Sequence, residues 1–238
     1  MRAAVFIPCY IDQLLPRVGQ AVVKVLQRVG VEVTIAKSQT CCGQPAFNAG
    51  YADQARDVAR FFLDQFADAE VLIVPSGSCT TMVRVFYPQL FASTPEHDRA
   101  AHLAARTWEF SDFLVTHLGV RDVGANFPHP ITFHDGCHGL RELGISDQPR
   151  ELLRHVRGLT LTEMTERRTC CGFGGTFAVK FPEISNAMAQ VKCASILATD
   201  TRYVVSNDSS CLMQIQGWAN RHGQPIESLH LAEVLATQ

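Results

Sequence analysis

The sequence lacks long apolar runs, an excess of charge of either sign, and any pair of cysteines separated by two residues. A membrane-spanning helix takes about 20 consecutive apolar residues. The longest candidates, 3–7 and 71–74, are a small fraction of that. A secretory signal needs a longer apolar region than the stretch between Arg2 and Pro8. The chain is therefore expected to be cytoplasmic, and peripheral association with a membrane complex stays open. Lys plus Arg number 21 and Asp plus Glu 23, a formal net charge of −2. Such a balance offers no electrostatic reason to expect nucleic acid. Without Cys-x-x-Cys the chain has neither the paired knuckles of many zinc sites nor a bacterial or plant ferredoxin spacing. No Ser-His-Asp or paired-carboxylate constellation stands out. The run 172–176 (Gly-Phe-Gly-Gly-Thr) has neither the lysine of a phosphate-binding loop nor the spacing of a dinucleotide fingerprint.

What is abundant is cysteine: nine in 238 residues, in a chain that is 47 % apolar and otherwise ordinary for a globular protein. A reducing compartment disfavours structural disulfides, and an odd count leaves one cysteine over. The positions repeat. Cys9, then Cys41-Cys42-Gly43, then a Ser-Cys ending at Cys79 are matched by Cys137, Cys170-Cys171-Gly172 and a Ser-Cys ending at Cys211. The offsets between equivalents are 128, 129 and 132 residues. Scattered core cysteines would not recur in one order at nearly one offset. The pattern indicates an internal duplication with domains at 1–125 and 126–238, each of independent size. Cys193 falls outside it.

Secondary-structure signals agree. Short β-rich runs at 2–8, 31–35, 71–74, 131–134, 159–161 and 202–205 alternate with helical patterns at 14–29, 51–66, 80–91, 149–156 and 182–199. That alternation predicts an α/β fold: two pseudo-symmetric Rossmann-like domains with mainly parallel sheets. The segment 96–126 reads as a bridge with a helix at 108–118, and 124–128 as the linker. Each repeated cysteine follows a predicted strand, in the loop before a helix. Ligands of open parallel sheets sit outside those carboxyl ends, near helix N-termini that favour negative charge. Thiolates, the metal-binding form of cysteine, are favoured there. Gly43 and Gly172 suit a close approach of backbone to a bulky inorganic centre. Three uses of the cysteines compete: buried core, zinc, and an iron–sulfur cluster, which soft thiolates select. The repetition disfavours the first, and the missing knuckles disfavour zinc alone.

The runs Phe6-Ile7-Pro8-Cys9-Tyr10, Thr40-Cys41-Cys42-Gly43-Gln44-Pro45, Cys170-Cys171-Gly172-Phe173-Gly174-Gly175-Thr176-Phe177 and Ser210-Cys211-Leu212-Met213-Gln214-Ile215 resemble the signatures of the lactate utilization protein A family. These are cysteine-rich CCG-domain proteins, related to the CCG-domain subunit of heterodisulfide reductase and to the iron–sulfur subunits of glycolate oxidase and anaerobic glycerol-3-phosphate dehydrogenase. The resemblance spans essentially the whole chain. It implies a redox subunit without substrate chemistry of its own, working with the other subunits of a complex that oxidises L-lactate to pyruvate. It implies one or two iron–sulfur clusters, of the 4Fe-4S type, on Cys9, Cys41, Cys42 and Cys79 and on Cys137, Cys170, Cys171 and Cys211. Zinc in one half is the variant seen in related succinate-type reductase subunits. In the heterodisulfide reductase relatives the third element is Cys-x2-Cys. Here Ser76 and Asp208 stand at its first position, which argues against the double cluster and disulfide cleavage. A thiol–disulfide reductase of the heterodisulfide type and a zinc-binding assembly scaffold are the alternative functions.

Other residues take their expected roles from position. His134, Asp135 and His138 bracket Cys137 as candidates to donate to cluster sulfur or relay protons, with His138 the stronger of the two histidines; Asp135 could equally cap a helix. Tyr10 and Asp12 occupy the matching region of the first half, so the second half is expected to be the more functional one. Cys193 reads as core. Trp108 and Trp218 read as core or interface anchors, Lys180 and Lys192 as solvated, and His129, between two prolines, as having no role.

Overall fold

In the computed structural model, which describes residues 1–238, strands Arg2–Val5 (β1), Glu32–Ile35 (β2), Leu72–Val74 (β3) and Thr107–Glu109 (β4) form one sheet in the order β2-β1-β3-β4. Strands Pro130–Phe133 (β5), Thr160–Leu161 (β6), Tyr203–Ser206 (β7) and Glu227–His230 (β8) form a second in the order β6-β5-β7-β8. Every pairing is parallel, and Ala4 opposite Leu72 is matched by Thr132 opposite Val204. In each half the chain leaves the central strand for one neighbour and then crosses to the other. The switch point therefore lies between β1 and β3, and between β5 and β7, where a parallel sheet opens a crevice.

The helices follow their apolar spacing. Pro16–Arg28 begins with Pro16 in the first turn, where a missing N–H costs nothing. It buries Val18, Val22, Val25 and Leu26, and the chain then turns at Gly30 with φ 81°. Helices Ala52–Gln65 and Pro182–Leu197 occupy equivalent places. The first buries Ala55, Ala59, Phe62 and Leu63; the second buries Ser185, Ala189, Lys192 and Cys193, each 130 residues later.

The fourth strand of each sheet is missing from the sequence-based expectation. β4 and β8 are short edge strands, and their residues Thr-Trp-Glu and Glu-Ser-Leu-His form no apolar run. A strand with only one neighbour need not be apolar on both faces. The helix expected at 108–118 is corrected accordingly: Trp108 lies in β4, and helical backbone starts at Phe110 and widens into a π turn over Phe113–His117. The bridge is thus part of the first sheet. The linker expected at 124–128 is also anchored, because the Phe127 N–H donates to the Arg157 carbonyl (3.0 Å) and Asn126 bridges to Arg157. His129 packs its ring on Phe127 and Tyr203.

After its fourth strand each half sends its chain across to the other. Leu231–Ala236 packs on Pro16–Arg28, and 110–117 packs on Asp147–Arg154. One apolar cluster consequently contains Val5, Leu26 and Phe113 together with Phe133, Leu153, Val205 and Leu235. The Arg28 guanidinium donates to the carbonyls of Val123, Leu235 and Ala236, each at 3.0 Å, tying the end of each half to the first helix. His230, at the end of β8, accepts from the Ala232 N–H through Nδ1 (3.0 Å) and faces the Pro75 carbonyl of the other half through Nε2 (3.2 Å). No helix is long and apolar enough to cross a membrane.

Candidate metal centre

Three strand ends per half carry the cysteines. Cys9 opens the helix after β1, Cys41 and Cys42 lie in the turn after β2, and Cys79 sits in the first helical turn after β3. Cys137, Cys170 and Cys171, and Cys211 repeat this after β5, β6 and β7. All eight line a single cavity, together with Tyr10, His138, Phe173 and Asp208. Tyr10 of the first half meets Phe173 of the second edge-to-face at 5.4 Å beside it. Helix starts from the two halves touch here through glycine: a Cβ on Gly77 would lie 3.0 Å from the Gly139 Cα.

All nine cysteines are free thiols. Cys42 Sγ and Cys79 Sγ are 3.2 Å apart, well beyond a disulfide bond length of about 2.05 Å. Within each half the four thiols act on one another's ionisation, and in the first half the Cys42 thiol donates to the Cys79 sulfur. Hydrogen bonds from the Cys42 and Cys9 thiols hold Cys41 down to about 3. Those from Cys137 and Cys171 hold Cys170 down to about 2. Backbone N–H groups of Gly43 and Gly172 add a donor to the same sulfurs, at 3.4 Å in each half. Cys9, Cys42, Cys137 and Cys171 shift upward, because ionisation would break the bond to the neighbouring sulfur and leave charge in a buried place. Four sulfurs held this close repel as anions. A multivalent cation or iron–sulfur core relieves that repulsion, so the donor set fits a metal or iron–sulfur centre.

The glycines of the two Cys-Cys-Gly turns are demanded by the protein's own backbone and packing. Gly43 has φ 84° and a Cβ there would meet the Ala55 carbonyl oxygen at 3.2 Å; Gly172 has φ 90° and would meet that of Ser185 at 2.6 Å. The helices Ala52–Gln65 and Pro182–Leu197 crowd the two positions.

Ser76 and Asp208, at the place of the absent cysteine, have protein partners. Ser76 Oγ accepts from the Cys79 N–H at 3.3 Å and caps that helix. Asp208 reaches into the other half: its carboxylate accepts from the Ser78 N–H (2.8 Å), the Ser78 hydroxyl (3.2 Å) and the Ser210 hydroxyl (2.8 Å). Asp135 is neither cap nor cluster donor. It is buried against Arg150, which grips it at 2.7 and 3.1 Å and also binds Glu163.

His138 lines the cavity, with its Nδ1 unpartnered and its ring edge-on to Phe86 at 6.1 Å. His134 is the less expected feature. It is fully buried, neither ring nitrogen has a hydrogen-bond partner, and it lies within 4.8 Å of the Cys171 and Cys211 sulfurs. Burial, reinforced by the charge of Lys192, pushes it down to about 3, so it is a neutral imidazole. An unsatisfied buried polar group costs about 1–3 kcal/mol. Lys192, expected in solvent, is fully buried and donates to the Glu166 carbonyl. Its helix turns this position inward because Ala189 and Cys193 share the face. Lys180 is exposed, with its ammonium 5.6 Å from the Tyr51 ring. Cys193 is fully buried among Ile196, Val204 and Ile215. Trp108 packs at the edge of the shared core under the Arg84 guanidinium, and Trp218 stacks on His222 at 4.1 Å.

A model of the CCG cysteine-rich domain matches residues 3–84 and again 131–216, one match per half. Lactate utilization protein A of Exiguobacterium sp. is 46 % identical over 235 residues, covering 98 % of this chain and 96 % of its own. That of Bacillus subtilis is 42 % identical over 236 residues, 99 % of each chain. The chain belongs to the lactate utilization protein A family. Among solved structures, a putative Asp/Glu racemase from Yersinia pestis covers 99 % of this chain and 96 % of its own at 10 % identity and a TM-score of 0.37, too distant to inform function. Within the family frame, each CCG match takes in the lone cysteine, the Cys-Cys-Gly and the Ser-Cys of one half. Sequence reasoning missed Lys192 and ranked His134 below His138. Superposing the halves in sequence would have exposed both, since Phe6 and Phe62 stand at the equivalent places of the first half.

Proposed function

We propose that this chain is the iron–sulfur electron-transfer subunit of a lactate-oxidising system, as the name of its relatives suggests. The carrying observation is that eight thiols from two duplicated halves converge on one cavity. Cys9, Cys41, Cys42 and Cys79 would hold one centre, and Cys137, Cys170, Cys171 and Cys211 the other. A cluster bound there would supply one-electron redox chemistry at a soft, thiolate-held site. The chain's own residues prepare that site. Neighbouring thiols favour the thiolate form of Cys41 and Cys170, the Gly43 and Gly172 N–H groups donate to the same sulfurs, and Tyr10 and Phe173 meet at the cavity from opposite halves. On this reading substrate chemistry is done by partner subunits in the cytoplasm.

Anaerobic purification with iron, zinc and acid-labile sulfide analysis, followed by electron paramagnetic resonance of the dithionite-reduced protein, tests this. The expected result is about four irons and four sulfides per occupied half, with a signal on reduction. Two zinc ions per chain and no labile sulfide would overturn the electron-transfer reading.

A further inference from the structure

Equivalent positions beneath the two cysteine sets carry opposite chemistry. In the first half Phe6 follows β1 and packs its ring on Phe62 at 4.8 Å and Phe66 at 5.9 Å, all three buried. In the second half the residue that follows β5 at the same place is His134, and the residue at the place of Phe62 on the matching helix is Lys192. An apolar floor is replaced by an imidazole and an ammonium, both fully buried. The imidazole has two nitrogens without partners and lies within 4.8 Å of the Cys171 and Cys211 sulfurs. The ammonium spends one of its donors on the Glu166 carbonyl; Lys192 stands to His134 as Phe62 stands to Phe6, and the next residue on its helix, Cys193, shares a buried cluster with Cys171 and Cys211. A cation and an orphaned donor in one apolar place make sense when the adjacent sulfurs carry negative charge.

We propose that His134 and Lys192 form a nitrogen-donor floor beneath Cys171 and Cys211, and that it gives the second half's centre a higher reduction potential than the first's. This rests on the reading that both halves hold redox-active centres. Donors and positive charge next to coordinated sulfur stabilise the more negative, reduced state. The aromatic floor under the first set offers neither. When the chain holds one electron, it leaves the first centre, which is oxidised by one, and enters the second, which is reduced by one; no bond is made or broken. His134 and Lys192 act through the sulfurs and are positioning residues.

The test is a redox titration of the anaerobically reconstituted full chain, monitored by electron paramagnetic resonance. Wild type, Lys192→Met, His134→Phe and His134→Asn are compared, with Cys171→Ser identifying the second-half wave by its loss. Lys192→Met and His134→Phe, the latter copying the first half, should each lower that wave by about tenfold in its reduced-to-oxidised ratio, or about 59 mV, and leave the other unmoved. His134→Asn, which keeps an N–H donor, should recover most of the shift. Retained clusters with unmoved potentials overturn the inference alone, as does a shift confined to the first-half wave. Loss of second-half iron from both Lys192→Met and His134→Phe also overturns it, since the pair would then be structural. Wild-type protein without labile sulfide ends the electron-transfer reading, and the inference with it.

Discussion

Phe6, Phe62, Phe66, Tyr87 and Phe91 pack together under the first cysteine set, and the Tyr87 hydroxyl donates to the Cys42 carbonyl at 2.8 Å. Under the second set the apolar cluster is smaller and has no fully buried aromatic, and its centre gives way to His134 and Lys192. The strands, their order and the placement of the thiols are nevertheless the same in both halves. Duplication preserved the scaffold that aims the cysteines, because that scaffold depends on backbone pairing and on where helices begin. The layer beneath was free to diverge, because it is filled by side chains. Cys193 illustrates the point from the other side. It takes the place of Leu63 and is core in the second half as Leu63 is in the first.

The largest expected effect breaks the pairing of the halves outright. Cys42→Ser and Cys171→Ser should each abolish the centre of its own half and spare the other, read as a halving of iron and sulfide content. Cys193→Ser should leave the content unchanged. Equal losses from Cys171→Ser and Cys193→Ser would show that the two halves do not use equivalent ligands.

The crossing segments fail at opposite ends of the pH scale. Glu109 and His230 cap the helices that leave the two sheets, and both are fully buried. Burial pushes Glu109 up from 4.5 to about 7. Its neutral form is kept in the fold while the unfolded chain ionises, so stability is full below 4.5, falls as pH rises, and the loss is complete above about 7. Burial pushes His230 down from 6.5 to about 4. Here stability is full above 6.5 and is lost as pH falls through about 4. Each slope is about 1.4 kcal/mol per pH unit within its window. Urea midpoints measured across pH should lose the upward-pH decline in Glu109→Gln and the acid-side decline in His230→Asn.

A smaller difference separates the two residues at the place of the absent cysteine. Asp208→Ala strips a buried carboxylate from the Ser78 N–H of the other half and should cost about 1–3 kcal/mol. Ser76→Ala removes one helix cap within its own half and should cost about 1 kcal/mol. Denaturant melts compare the two, and neither substitution should change metal content.

Much of this is legible in the order of residues alone. Cysteine spacing announced the duplication, and alternating strand and helix patterns announced parallel sheets with the thiols at their carboxyl ends. The apolar spacing over 14–29 marks the first long helix to within two residues of its observed bounds, Pro16–Arg28. The fourth strands were not legible, since Thr107–Glu109 and Glu227–His230 are short, polar edge strands. Lys192 reads as a solvated helix residue because lysine is rarely buried, and Asp135 reads as a cluster donor, a proton relay or a cap because its partner, Arg150, lies 15 residues away.

By itself the sequence determined that this protein is two copies of one α/β unit, each presenting four thiols after successive strands. Periodicity and spacing are local, and they are written in the order of residues. Only the tertiary structure decided that both sets of thiols line one cavity, that each half's last helix crosses to the other, and that one cysteine set rests on phenylalanine and the other on histidine and lysine. Those outcomes depend on which side chains lie opposite one another once the sheets have packed, and sequence distance carries no record of that.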